Sequence, residues 1–283
     1  FGKKIIGVSA EQELSPAEQG GRSHCFECGK ALSWYELIPA VSFLIQKGRC
    51  RHCGRKFSFQ YPLVEILSGI IFTAIPWYLV NFQFSIWLLE DVQIYGRSIG
   101  QLSNYQLLII ALWILIFLSL LLLSIIDFRH FIIPDQINLF LAFLGVVLVI
   151  SKYKIQNTNY SFIGHYALLF GLRENIWLNH FFAALVGMVF FGLIIVLSKG
   201  RAMGWGDFKL IGPLGLIFGW PDVLLIIFLA FIIGSVVGVF LLIRKKKTIK
   251  EAVPFGPFLV IGSSLVFFFG YQIIDWYFKI FSL

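Results

Sequence analysis

The chain has 283 residues, of which 58% are hydrophobic, 17% aromatic and only 13% charged, and its mean hydropathy is +0.84. Soluble domains carry roughly 25% charged residues, so the composition excludes a soluble globular protein and indicates an all-α polytopic membrane protein. The formal net charge of +8 calls for no nucleic-acid partner, because membrane topology accounts for where the basic residues fall.

The chain opens on Phe1, and residues 1–24 are polar without an apolar core, so no signal peptide is visible. All four cysteines follow together in "CFECGKALSWYELIPAVSFLIQKGRCRHCG", residues 25–54. The segment is two half-repeats, Cys25-Phe-Glu-Cys28-Gly-Lys and Cys50-Arg-His-Cys53-Gly-Arg. A glycine after the second cysteine of each half permits a tight turn that can aim backbone N–H groups at thiolate sulfurs. The C-x₂-C…C-x₂-C spacing predicts a structural zinc site on Cys25, Cys28, Cys50 and Cys53. Disulfides are the alternative, but the segment lies on the side assigned below to the cytoplasm, where thiols stay reduced. His24 and His52 neighbour ligands, yet four cysteines already close a tetrahedral shell. The stretch between the halves is rich in apolar residues, Trp34 to Leu44 among them, and is expected to pack on the membrane surface or the helix bundle.

Apolar runs near 62–81, 107–126, 133–151, 178–198, 223–243 and 257–280 are each long enough for a hydrocarbon core of about 30 Å. A short piece, Leu210–Gly219, crosses only if the bilayer thins or the piece is re-entrant, and counting it gives about seven crossings. Eighteen of the 23 Lys and Arg residues lie in 3–56, at 129, in 199–209 or in 244–250. With seven crossings all of these share one side, which the positive-inside rule makes the cytoplasm. "RKKK", Arg244–Lys247, is then a topology anchor. The opposite side holds the 82–103 and 152–177 loops, the second of which reads as an external insertion.

Two carboxylates sit badly with this hydrocarbon. Asp127, in "SIIDFRHFIIPDQIN" (residues 124–138), ends one span, and Asp207, in "MGWGDFKL" (203–210), precedes the short apolar piece. A charge at membrane depth costs roughly 2.5–3.5 kcal/mol on insertion scales, so such groups are usually paired or functional. Both fall at the cytoplasmic end of their elements, at similar depth. Two carboxylates meeting in a poorly hydrated pocket cannot both ionise cheaply, and a pair sharing one proton is the acid and base that peptide hydrolysis needs. Gly204 and Gly206 let backbone approach a substrate strand, or adopt φ > 0, beside Asp207. Asp207 could instead cap the 208–219 segment; Asp135, beside Pro134, is expected to cap its own helix. Glu65 and Asp222 read as interfacial, Asp275 has no visible partner, and Lys199, Arg201 and Lys209 have no assigned role.

The segments 21–69, "IIDFRHFIIPD", "GWGDFKLIGPLGLIFGW" and "VPFGPFL" resemble, in order, segments of type IV prepilin peptidases. The resemblance covers the chain from about Gly21 to its end. It implies a membrane-embedded GxGD-class aspartic protease that cuts a short basic leader from prepilins or pseudopilins after a glycine, at the cytoplasmic face. It further implies methylation of the new N-terminus with S-adenosylmethionine. Carried over by motif, Asp127 and Asp207 are the catalytic pair and the four cysteines hold zinc. Residues 1–61 are then a zinc module associated with methyl transfer, and 62–283 the peptidase. The family usually starts with a further apolar span, giving eight, and residues 1–20 are not such a span. Two other readings are a proton- or ion-coupled transporter using the two aspartates and a non-catalytic scaffold built on the zinc module. Against the transporter, both aspartates lie at span ends and no inverted repeat is evident.

Overall fold

The computed structural model describes residues 23–25, 28–38, 41–83, 104–156, 175–201, 203–244 and 253–280. The polar start of the chain, most of the 82–103 and 152–177 loops, Lys245–Lys247 of the basic anchor and the side chain of Asp275 lie outside the described residues. The chain forms two compact units, Phe1–Gly69 and Ile70–Leu283.

The first unit is small and built on turns. In each cysteine half the backbone reverses, at Gly29 (φ 65°) and Gly54 (φ 69°), in the left-handed region that glycine adopts without strain. Each reversal is closed in the same way: Gly29 N–H donates to the Cys25 carbonyl at 2.8 Å, and Gly54 N–H to the Cys50 carbonyl at 2.9 Å. Between them lie a 3-10 turn, Trp34–Leu37, and a short helix α1, Val41–Ile45. Glu36 fixes the 3-10 turn from inside, accepting from the Ser33 backbone N–H at 2.9 Å and from Gln46 Nε2 at 3.4 Å. Phe43 meets Phe59 edge-on, and the unit runs into α2, Gln60–Tyr78, which continues through a π turn, Leu79–Gln83.

The second unit is a helix bundle: α3 Asn104–His130, α4 Asp135–Gln156, α5 Ile176–Leu197, α6 Trp205–Phe218, α7 Asp222–Ile243 and α8 Gly256–Ile280. Among the described residues, five helices are long and apolar enough to cross a membrane: Gln60–Asn81, Gln106–His130, Asp135–Lys152, Ile176–Leu197 and Asp222–Ile243. Gly256–Gly270 is a shorter apolar stretch of α8. The seven expected apolar elements are therefore all helices.

The short helix α6 is the centre of the bundle. Its Leu210, Ile211, Leu214 and Ile217 are fully buried, chiefly against α4 and α5. Small residues permit this. A Cβ on Gly215 would overlap backbone atoms of Ala183 and Ala184 on α5, and a Cβ on Gly145 of α4 would lie 3.2 Å from Leu216 and Ile217 side-chain atoms. With 14 residues α6 is about 21 Å long, short of the hydrocarbon thickness. Its far end is satisfied by side chains of α5. His180 Nδ1 meets the Leu216 carbonyl at 2.8 Å, and Asn179 bonds both backbone groups of Trp220, at 2.9 and 3.0 Å. A helix end away from water needs such partners. Rings of α2, α3, α6 and α8 fill the interior, with Trp113 and Phe267 centroids 4.5 Å apart.

Candidate active site and metal centre

Four helix ends meet at one end of the bundle. α3 does not stop at Asp127 as its apolar run suggests, but continues to His130. Asp127 thus lies inside the last turn and is only 4% exposed. The chain reverses at Phe131 (φ 55°), whose N–H bonds the Asp127 carbonyl at 2.9 Å, and α4 begins at Asp135. At the same end α6 starts at Trp205, with Gly204 as its N-cap in extended backbone. Asp207 is the third helical residue, 8% exposed, and accepts from the Gly204 backbone N–H. It is therefore not the N-cap: it sits in the first turn, where the helix dipole favours an anion.

The two carboxylates are close enough to repel one another. Asp127 sits at the unfavourable, negative end of α3, and a donor from another helix compensates. Gly256 N–H, at the start of α8, points at Asp127 Oδ2 from 3.0 Å. The contact leaves no room for a side chain, since a Cβ on Gly256 would lie 2.6 Å from Oδ2. Ile133 fills the space between the α6 and α8 starts. Its side chain is 3.2 Å from the Cβ position of Gly206 and 3.5 Å from that of Gly256. The N-termini of α6 and α8 thus both present backbone N–H groups to the carboxylate pair.

The glycines beside Asp207 differ in what they need. Neither Gly204 (φ −81°) nor Gly206 has positive φ, so the conformational role expected of them is not used. Gly206 is required by the approach of Ile133, whereas a Cβ on Gly204 would meet nothing closer than 3.7 Å. Asp135 is not a cap either. It is the first helical residue of α4, and its carboxylate pairs with Lys209 Nζ at 2.8 Å. This gives Lys209 a role that the sequence left open: it ties α4 to α6 one turn from the aspartates. Gly256 was not singled out in the sequence, although "PFGP" carried a signal in a glycine at a helix start. Asn138, one turn into α4, is buried with no hydrogen-bond partner for its amide among the described residues. At the opposite end of the bundle Lys152 lies over the Trp113 ring and interacts electrostatically with Asp222 and His180. Asp222 is thus one of a group of charged and polar side chains, and not a lone interfacial acid.

In the first unit the four cysteine sulfurs lie within 4.8 Å of one another, none in a disulfide. Cys25 Sγ and Cys53 Sγ are 3.9 Å apart, close to the roughly 3.8 Å edge of a tetrahedron with 2.3 Å metal–sulfur bonds. The donor set fits a tetrahedral metal ion. Cys25 and Cys50 are buried, Cys28 and Cys53 face outward, and the Arg55 backbone N–H donates to Cys53. The turn glycines, by contrast, send their N–H groups to cysteine carbonyls.

Residues 12–79 match the bacterial peptidase A24 N-terminal domain, and residues 114–239 match the type IV leader peptidase family. A prepilin leader peptidase/N-methyltransferase of Legionella pneumophila is 30% identical over 256 residues, covering 90% of this chain and 75% of that protein. The chain belongs to the type IV leader peptidase family. Proteins of the same name are 31% identical in Xanthomonas campestris (91% of this chain, 75% of that one) and 27% identical in Bacillus subtilis (91% and 86%). No solved structure matches. The first matched segment contains all four cysteines, the second both aspartates. Nothing found favours the transporter or the scaffold.

Proposed function

We propose that this leader peptidase family member cleaves the short basic leader of prepilins or pseudopilins after a glycine, with Asp127 and Asp207 as its catalytic pair. The observation that carries the assignment is the convergence of two buried carboxylates at the meeting point of α3, α6 and α8. The names of the relatives supply the substrate class and the reaction.

In this reading the pair holds one proton between its two carboxyl groups. The ionised carboxylate takes a proton from water as the water attacks the scissile carbonyl. The protonated one donates to the carbonyl oxygen, and a proton then passes to the leaving amine as the tetrahedral intermediate collapses. Gly256 N–H holds Asp127 in place, and the Gly204 N–H does the same for Asp207. Residues 62–283 carry this chemistry, at the cytoplasmic face by the distribution of Lys and Arg.

Residues 1–61 form the second functional part, supporting methylation of the new N-terminus as the relatives' N-methyltransferase name suggests. S-adenosylmethionine supplies the methyl group in that reaction. Cys25, Cys28, Cys50 and Cys53 would hold zinc, and four thiolates would leave it no position for water, which makes its role structural.

The test is incubation of the detergent-solubilised protein with a prepilin, read by mass spectrometry for leader loss and a methyl gain. Leader loss that survives in Asp127→Asn and Asp207→Asn at matched expression removes the dyad. No leader loss with any prepilin removes the function.

A further inference from the structure

The first unit turns its apolar side chains outward. Trp34 is 78% and Leu44 74% exposed, and Leu37, Ile38, Val41 and Ile45 are exposed with them. The spacing is three or four residues within the 3-10 turn and within α1, so each presents one apolar face. The polar group is on the inside. Glu36 is buried and bonded to Ser33 and Gln46, which holds the turn with its apolar residues facing away from it. Large apolar side chains exposed on successive turns of one segment in this way mark an interaction site.

Charge indicates the partner. Glu36 is the one acidic residue among the described residues of 23–59, and it is hidden, while six Lys and Arg residues in the same stretch are all exposed. Two of them flank the apolar face. Lys47 follows Ile45 by two residues, and the Arg51 guanidinium lies 5.4 Å over the ring of Tyr35, which in turn meets Trp34 edge-on. Tryptophan and tyrosine bordered by lysine and arginine is the composition of a bilayer interface. Position agrees with composition. Exposed Phe59 and Tyr61 stand at the head of α2, the membrane-crossing helix Gln60–Asn81, so this part of the chain leads directly into the bilayer.

We propose that the face formed by Trp34, Leu37, Ile38, Val41, Leu44 and Ile45 docks on an anionic lipid surface. The apolar side chains insert at the headgroup boundary, and the surrounding Lys and Arg residues pair with lipid phosphates. This docking concerns neither the aspartates nor the metal, and it stands or falls separately from the proposed cleavage.

The experiment uses the full chain, with its metal bound, in nanodiscs whose lipids are brominated high on the acyl chain. The Trp34 signal is the difference between the wild-type fluorescence and that of Trp34→Phe. With anionic phosphatidylglycerol present, brominated lipid should remove at least half of that signal, and high salt or Lys47→Glu with Arg51→Glu should restore most of it. Metal content verifies that each variant keeps its fold. No quenching in anionic discs overturns the proposal. Shielding of Trp34 from aqueous iodide without quenching by lipid overturns it in favour of a protein partner or second copy. Equal quenching in purely zwitterionic discs overturns the electrostatic part, leaving apolar insertion alone.

Discussion

At the scale of single residues, the candidate site depends on atoms that ordinary substitutions would displace. Asparagine at 127 or 207 keeps size but cannot ionise, so either change should reduce leader cleavage at least about 100-fold. The double variant should be no worse, because groups acting as one unit are non-additive. Three glycines then form a graded series at constant carboxylates, with leader removal at matched membrane expression as the readout. Gly256→Ala puts a methyl carbon 2.6 Å from Asp127 Oδ2 and must move the carboxylate or the start of α8, so cleavage should be largely lost. Gly206→Val meets Ile133 and should be severe as well, whereas Gly204→Ala, with nothing nearer than 3.7 Å, should cleave nearly normally. Equal loss in all three would show that the contacts seen at Gly206 and Gly256 do not set the geometry. Asp135→Asn removes an exposed ion pair with Lys209 and should cost under about 1 kcal/mol. Asp127 was legible in the sequence because a charge ending twenty apolar residues is conspicuous, and Asp207 because it stands after a glycine pair at the head of a short apolar piece. Gly256 was not, because its importance lies in a contact with a residue 129 positions away.

At the scale of elements, hydropathy located the seven long apolar helices among the described residues, since each is a run of residues that water rejects. Ends were harder to read. α3 continues past Asp127 to His130, because a helix stops when its backbone groups find other partners and not when its apolar run ends. The short α6 was legible as too brief to cross, but not as the buried centre of the bundle. That depends on Gly145 and Gly215 admitting close approach, on His180 of α5 meeting the Leu216 carbonyl, and on Asn179 holding the turn that follows at Trp220. Asn179→Leu should remove both of its hydrogen bonds to the Trp220 backbone, at about 1–3 kcal/mol per bond. The measurement is thermal unfolding in detergent. A midpoint unchanged from wild type would mean that another group or water satisfies this turn. Gly215→Val should be worse, because the atoms in its way are the backbone of Ala184 and cannot rotate aside.

At the scale of the whole molecule, two kinds of folding energy hold two units, and removing the metal should separate them. The first unit gathers its four cysteines within 4.8 Å on turns, with Phe43 and Phe57 only partly buried, so its order should depend on the proposed zinc. The bundle bonds its own backbone and buries Leu, Ile and Phe side chains from α2 to α8, none of which involves the metal. The purified protein should hold one zinc per chain by metal analysis. Chelation should raise hydrogen exchange across residues 23–59 while α3 to α8 remain protected. Because a closed four-thiolate shell offers no site for a reactive water, leader cleavage should persist after chelation, and methyl transfer to an already cleaved pilin should fall first. The Asp127→Asn variant should show the reverse, with cleavage lost and methyl transfer to pre-cleaved pilin retained. These crossed outcomes separate the two activities within one chain. If cleavage instead stops at once on metal removal, with exchange in the bundle unchanged, the ion takes part in hydrolysis and the aspartic mechanism is wrong.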